Sequence, residues 1–126
     1  MNTPANIEQE YEVFQDYSVA RFKGEVTLWQ AVELIEQAMS RAMVDKTHKL
    51  LVNVSALTGF PSPHLADRYF IARRWAQFAK GQIKLALVIQ QHMIDPERFG
   101  VMAARNAGLE SEVSDREDEA LEWLLK

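Results

Sequence analysis

The chain has 126 residues, of which 48% are hydrophobic and 25% charged, with a formal net charge of −4 and no cysteine. That length and balance suit a single globular domain with a core of its own, residues 1–126. They exclude a disulfide scaffold, a thiolate zinc site and a cysteine nucleophile, and the acidic balance argues against nucleic acid as a partner.

Residues 1–6 show no periodicity and are expected to fray. Residues 8–14 and 17–23 alternate and are separated by Gln15 and Asp16, which predicts a β-hairpin closed at Gly24. Thr27 and Gln30 have the spacing of a capping box. The stripe Leu28, Val32, Ile35 and Met39, flanked by Ala31, Ala38 and Ala42, predicts about four helical turns. The apolar run Leu50–Val54 reads as a strand covered on both faces. A loop over Ser55–Pro63 follows, and Ser62–Pro63 is expected to cap a helix running to Lys80, with Gly81 as its stop. Ile83–Ile89 reads as another buried strand. Asp95–Pro96 is expected to open a helix that ends at Gly108. Leu109–Val113 reads as a last short strand, and Ser114 with Glu117 as a capping box for a final helix whose apolar side holds Ala120, Leu121, Trp123, Leu124 and Leu125.

The resulting order is β-β-α-β-α-β-α-β-α, in which the alternation after the hairpin implies parallel crossovers with helices packed on the sheet. No apolar run reaches the roughly 18 residues of a bilayer span. Residues 1–12 are polar and acidic, unlike a signal peptide, so the expected location is the cytoplasm.

The same order and several short segments resemble the SpoIIAA-like fold of anti-sigma-factor antagonists and STAS domains. Asn53-Val54-Ser55 matches that family's Asp-apolar-Ser strand end with an amide in place of the acid. Ser62 falls where the family carries a phosphorylatable Ser or Thr, while Pro61, Pro63 and His64 depart from its pattern. The chain is more closely similar to a divergent bacterial group of small STAS/SEC14-like proteins with no assigned biochemical activity. Phe22-Lys23-Gly24 with Thr27, Asn53-Val54-Ser55, Phe60-Pro61-Ser62 and Ile94-Asp95-Pro96-Glu97-Arg98-Phe99-Gly100 carry that likeness. The resemblance implies an α/β fold with a mixed SpoIIAA-like sheet and a non-enzymatic binding module. Its two implied roles are regulation of a partner protein and carriage of an apolar ligand at a membrane surface.

Residues 65–80 are the most informative stretch. On a helical wheel Leu65, Tyr69, Ala72, Ala76 and Ala79 share one side, and Ile71, Trp75 and Phe78 widen it to about 180°, beyond the roughly 100° that a helix lying on a sheet needs. Ala72 and Ala76 leave little bulk toward the sheet, and with Trp29, Leu65, Tyr69 and Trp75 they form the expected ligand-binding set. Phe70 falls between Arg73 and Arg74 on the wheel. His64 to Lys84 hold five Lys/Arg residues against one acid, Asp67. Phe70, Arg73, Arg74, Phe78 and Lys80 are therefore the expected contacts with an anionic membrane.

Ser62, read as a helix start, is an expected anion or phosphorylation position, with an ordinary N-cap as the plain alternative. His48, His64 and His92 are scattered without metal-ligand spacing. The acids of Asp115–Glu122 read as a solvated helix face. No Gly-x-Ser-x-Gly elbow or glycine-rich phosphate loop is present, so no catalytic residue, metal or cofactor is expected. The leading expectation is a non-enzymatic module holding a small apolar or lipid-like ligand, associated peripherally with the inner face of the membrane. The alternative is a regulatory protein–protein interaction module of the anti-sigma-factor-antagonist type. A homodimer contact is a third use for the aromatic excess.

Overall fold

The computed structural model describes residues 6–126. The fraying expected for residues 1–6 lies, apart from Asn6, outside them. The elements follow the expected order: β1 (Glu8–Val13), β2 (Ser18–Glu25), α1 (Leu28–Val44), β3 (Lys49–Thr58), α2 (Leu65–Ala79), β4 (Lys84–Val88), α3 (Phe99–Asn106), β5 (Glu110–Ser114) and α4 (Glu117–Leu124), with a short 3-10 turn at Gln91–Met93.

The five strands form one sheet in the order β1-β2-β3-β4-β5. β1 runs antiparallel to β2, and every later pairing is parallel. Each parallel strand adds on the same side of its predecessor, so right-handed crossovers place α1, α2 and α3 on one face. α4 follows the last strand, has no crossover to complete, and covers the opposite face. Alternation along the strands matches this division. Ala20, Phe22, Leu50, Val52, Val54 and Leu85 join the core under α1–α3. Val19, Leu51, Ala86 and Val88 pack with Ala120 and Leu124 of α4. The central strands read as continuous apolar runs because both of their faces are covered.

The Thr27 capping box forms as expected: Gln30 N–H donates to Thr27 Oγ1 at 3.2 Å, and Thr27 N–H to Gln30 Oε1 at 2.9 Å. Several boundaries differ from the sequence reading. Gly24 lies inside β2 instead of closing it, with φ +146°, and a Cβ there would sit 2.7 Å from Ile7 Cδ1. β3 continues to Thr58 because Lys23–Glu25 of β2 supply partners for Ala56–Thr58. α3 starts at Phe99, not at Pro96. The Asp95 carboxylate binds the Glu97 amide at 3.1 Å and the Phe99 amide at 2.9 Å, and Arg98 interrupts the helical path with φ +56°. At α4 no capping box forms. The cap residue is Arg116, Ser114 Oγ accepts from its amide, and the Glu117 carboxylate is engaged elsewhere.

Candidate functional site

α2 packs chiefly against α3 and α1 and stands off the strands. Ala72 on its inward side is too short to fill the gap, and a cavity of about 150 Å³ remains between the three helices and the sheet. Leu28, Ala31, Val32 and Ile35 of α1 form one wall, and Ile71, Ala72 and Trp75 of α2 another. Val101 and Ala104 of α3, with Leu85 and Leu87 of β4, add to the apolar lining. Phe60 and Pro63 close it from the β3–α2 loop, and Met93 and Ile94 from the β4–α3 loop. The cavity thus reaches the carboxyl ends of the parallel strands, where α/β sheets present their loops.

The charged part of the wall is internally paired. Arg68 donates to the carbonyls of Pro63 and Met93, both at 3.1 Å. Arg98 forms an ion pair with Glu112 and donates to the Val113 carbonyl at 3.3 Å. The two backbone amides on Asp95, together with the nearby Arg68 charge, hold its carboxyl below the usual carboxylate range. The indole Nε1 of Trp75 is buried without a hydrogen-bond partner.

Of the ligand-binding residues expected from the sequence, Ala72 and Trp75 line this cavity. Ala76 is buried in the core beside it. Leu65, Tyr69 and Trp29 lie outside the lining: Leu65 is 60% exposed, Tyr69 is exposed, and Trp29, 41% exposed, meets Phe70 edge-on at 5.9 Å. The wheel puts Leu65 and Tyr69 on the side of Ala72, but both are exposed, and Trp29 belongs to α1. α2 packs on α3 and α1, and of its first two turns only Arg68 and Ile71 reach the cavity wall. The contributions of α3 and the β4–α3 loop had no signal in the α2 pattern and became visible only in three dimensions.

The residues expected at a membrane separate likewise. Phe70, Arg73, Phe78 and Lys80 are exposed. Arg73 donates to the Tyr69 hydroxyl at 3.2 Å. Arg74 turns inward, and its guanidinium grips Glu36 of α1 with two bonds of 2.6 and 2.8 Å. Glu36 is 3% exposed, so this pair is a tie between helices. Ser62 is not the helix start. His64 is the cap residue, without a side-chain cap bond, and Ser62 Oγ donates to the His92 carbonyl at 3.4 Å. Proline at 63 keeps Ser62 extended, and Arg68 holds the Pro63 carbonyl, so the helix begins two residues later than the sequence suggests.

On the other face Asn53 and Ser55, which match the family's strand end, meet Glu117. Asn53 Nδ2 donates to Glu117 Oε2 at 2.8 Å, and Asn53 Oδ1 accepts from the amide and hydroxyl of Ser55. These residues anchor α4 and do not reach the Ser62 loop.

A five-stranded sheet of this order, with three crossover helices on one face and a terminal helix on the other, is the SpoIIAA-like fold. Solved structures that share it include two that align along nearly the whole chain. An anti-sigma factor antagonist from Mycobacterium paratuberculosis is similar over 100% of both chains, at 16% identity and a TM-score of 0.60. A DUF3478-family protein with a SpoIIAA-like fold from Shewanella loihica is similar over 98% of both chains, at 19% identity and a TM-score of 0.53. No protein-family model matches the chain. No curated protein matches it either. Among the described residues no helix is long and apolar enough to cross a membrane.

Proposed function

We propose that the chain is a non-enzymatic, cytoplasmic regulatory module that binds a partner protein through the outer face of α2. The observation that carries this reading is the aromatic surface there. Phe70 is 56% exposed and pairs with exposed Trp29, and Leu65, Tyr69 and Phe78 of the same helix are exposed as well. Soluble domains rarely leave such residues contiguous without a use for them. The full-length likeness to an anti-sigma factor antagonist supports a partner-binding role. A membrane is a weaker fit to the same face, because the Glu36 carboxylate holds the Arg74 guanidinium away from headgroups. The test is sedimentation of the protein alone, with purified kinase-type anti-sigma factors and with anionic liposomes, each repeated for Phe70→Asp. A stable heteromeric complex that Phe70→Asp dissolves supports the reading. A self-associating protein, or flotation with liposomes, would replace it with a homodimer or a peripheral membrane contact.

A second reading is carriage of a small apolar ligand, which the cavity walled by Ala72 and Trp75 favours. Native mass spectrometry with solvent extraction tests it: an organic-soluble adduct supports it, and a bare mass that no added apolar probe changes counts against it. Phosphorylation of Ser62 would act on the same loop. It would add charge beside the His92 carbonyl and loosen the β3–α2 loop, which limited proteolysis of Ser62→Asp checks.

A further inference from the structure

The cavity under α2 follows the strands. Leu85, Leu87 and Ile89 border it from one face of the sheet, and Ile89 N–H continues the pairing to the Ser114 carbonyl at 2.9 Å. From Leu85 to Ile89 an extended chain covers about 13 Å. Phe60 and Met93 stand at the loop end of this run, and Ser111 of β5, paired with Leu85, stands at its inner end. Ser111 is 7% exposed, and its hydroxyl makes no hydrogen bond among the described residues. From the elongated lining and this unpaired hydroxyl we infer that the cavity takes a neutral single-chain molecule, an aliphatic alcohol or aldehyde, inserted polar end first so that its oxygen meets Ser111 Oγ. The inference rests on the apolar-ligand reading and narrows it.

Register sets the direction of the Ser111 side chain. Parallel partners opposite each other point to the same face, and Leu85 belongs to the core under α1–α3. Ser111 Oγ therefore points to the cavity side. It is not sealed in, as the Trp75 indole and the Tyr11 hydroxyl are. A buried hydroxyl without a partner carries a desolvation penalty. Because it both donates and accepts, an alcohol or a carbonyl oxygen removes that penalty. The surroundings set the charge. The neighbours of Ser111 on this face, Leu85 across the pairing and Leu109 two residues earlier, are apolar. Exposed Arg105 reaches the Ser111 carbonyl and Glu112, not the hydroxyl. A carboxylate placed there would be buried without a counter-charge, which is costly. Toward the loops the charged groups are already engaged, Arg98 by Glu112 and Arg68 by two carbonyls, so a polar end left there would compete with existing bonds.

The experiment titrates 13C-labelled 1-octanol into the 15N-labelled protein and reads the orientation of the bound chain from NOEs. The C1 methylene is expected to contact the Leu85 methyls, and the terminal methyl to contact Phe60 or Met93. Ser111→Ala should bind 1-octanol about fivefold more weakly, the effect of one net hydrogen bond, and should fold as the wild type does, since it removes only an unpaired hydroxyl. A reversed chain, or an affinity unchanged in Ser111→Ala, overturns the polar-end-first inference while the ligand reading stands. If 1-octanol does not bind up to its solubility, both fall. Ala72→Leu, which keeps Ser111 and fills space, should weaken binding; an unchanged affinity would place the probe outside the cavity and overturn the inference.

Discussion

Arg21 of β2 and Glu117 of α4 form a two-pronged ion pair, with Nε 2.9 Å from one carboxylate oxygen and NH2 2.7 Å from the other. The same guanidinium reaches Glu12 at 3.1 Å and Glu10 at 3.3 Å on β1. One side chain therefore joins the edge hairpin, the sheet and the helix on its far face. The carboxylates hold the Arg21 guanidinium even more firmly charged than usual, led by its hydrogen bonds to Glu117. In turn Arg21, then Asn53, holds the Glu117 carboxyl below its ordinary value of 4.5.

Glu117→Gln should lower stability at neutral pH by about 1 kcal/mol, the upper range for a partly exposed pair after solvent screening. The folded state depresses this carboxyl, so its contribution is fully present above the ordinary carboxylate value and is lost as pH falls through the depressed one. Urea unfolding of wild type and variant should therefore differ at pH 7 and converge under strong acid. A difference that persists there would assign the effect to packing.

The Arg74–Glu36 pair has one buried end. Arg74→Met strands the Glu36 carboxylate inside the core and should cost about 2–3 kcal/mol, less than a fully buried pair because Arg74 is partly exposed. Adding Glu36→Leu should recover most of that loss. Denaturant midpoints of the two single variants and the double variant measure it, and a double variant no better than Arg74→Met would contradict the buried-charge account.

Ala72 and Ala79 lie on the inward side of α2, but only Ala72 borders the cavity. Ala79→Leu should cost about 1–3 kcal/mol through overpacking. Ala72→Leu has space to enter and should cost clearly less. Thermal unfolding of the two variants compares them directly, and equal losses would mean that the cavity closes in solution.

Phe70→Asp should leave the unfolding free energy within about 0.5 kcal/mol of wild type, because the ring is largely exposed. Partner binding, by the reading above, should disappear. A large loss of stability would show that the Trp29–Phe70 contact serves the fold.

Much of the architecture was legible before any coordinates. The apolar runs Leu50–Val54 and Ile83–Ile89 announced strands covered on both faces, and the Leu28–Met39 stripe with its Thr27–Gln30 box announced α1. Those signals are local, set by side chains within a turn or a strand of each other. Helix starts were less legible. Ser62–Pro63, Asp95–Pro96 and Ser114–Glu117 all carry the residue types of caps, and each was used differently. Arg68 held the chain extended before α2, Asp95 closed a separate turn, and the Glu117 carboxylate went to Arg21.

The candidate site was legible only in part. Composition identified α2 as aromatic, basic and small on its inner side, and thereby named Ala72 and Trp75. It also grouped Trp29, Leu65 and Tyr69 with them, because a helical wheel gives direction around an axis but not where that axis lies. Arg73 and Arg74 are adjacent in sequence, yet one is at the surface and the other grips a buried acid 38 positions away.

The sequence by itself determined the order of elements and which strands are buried, since periodicity and cap chemistry act over a few residues. The tertiary structure alone decided the gap beneath α2, the inward turn of Arg74 and the tie between Arg21 and Glu117, 96 positions apart. Those depend on where elements distant in sequence come to rest, and no local pattern encodes that distance.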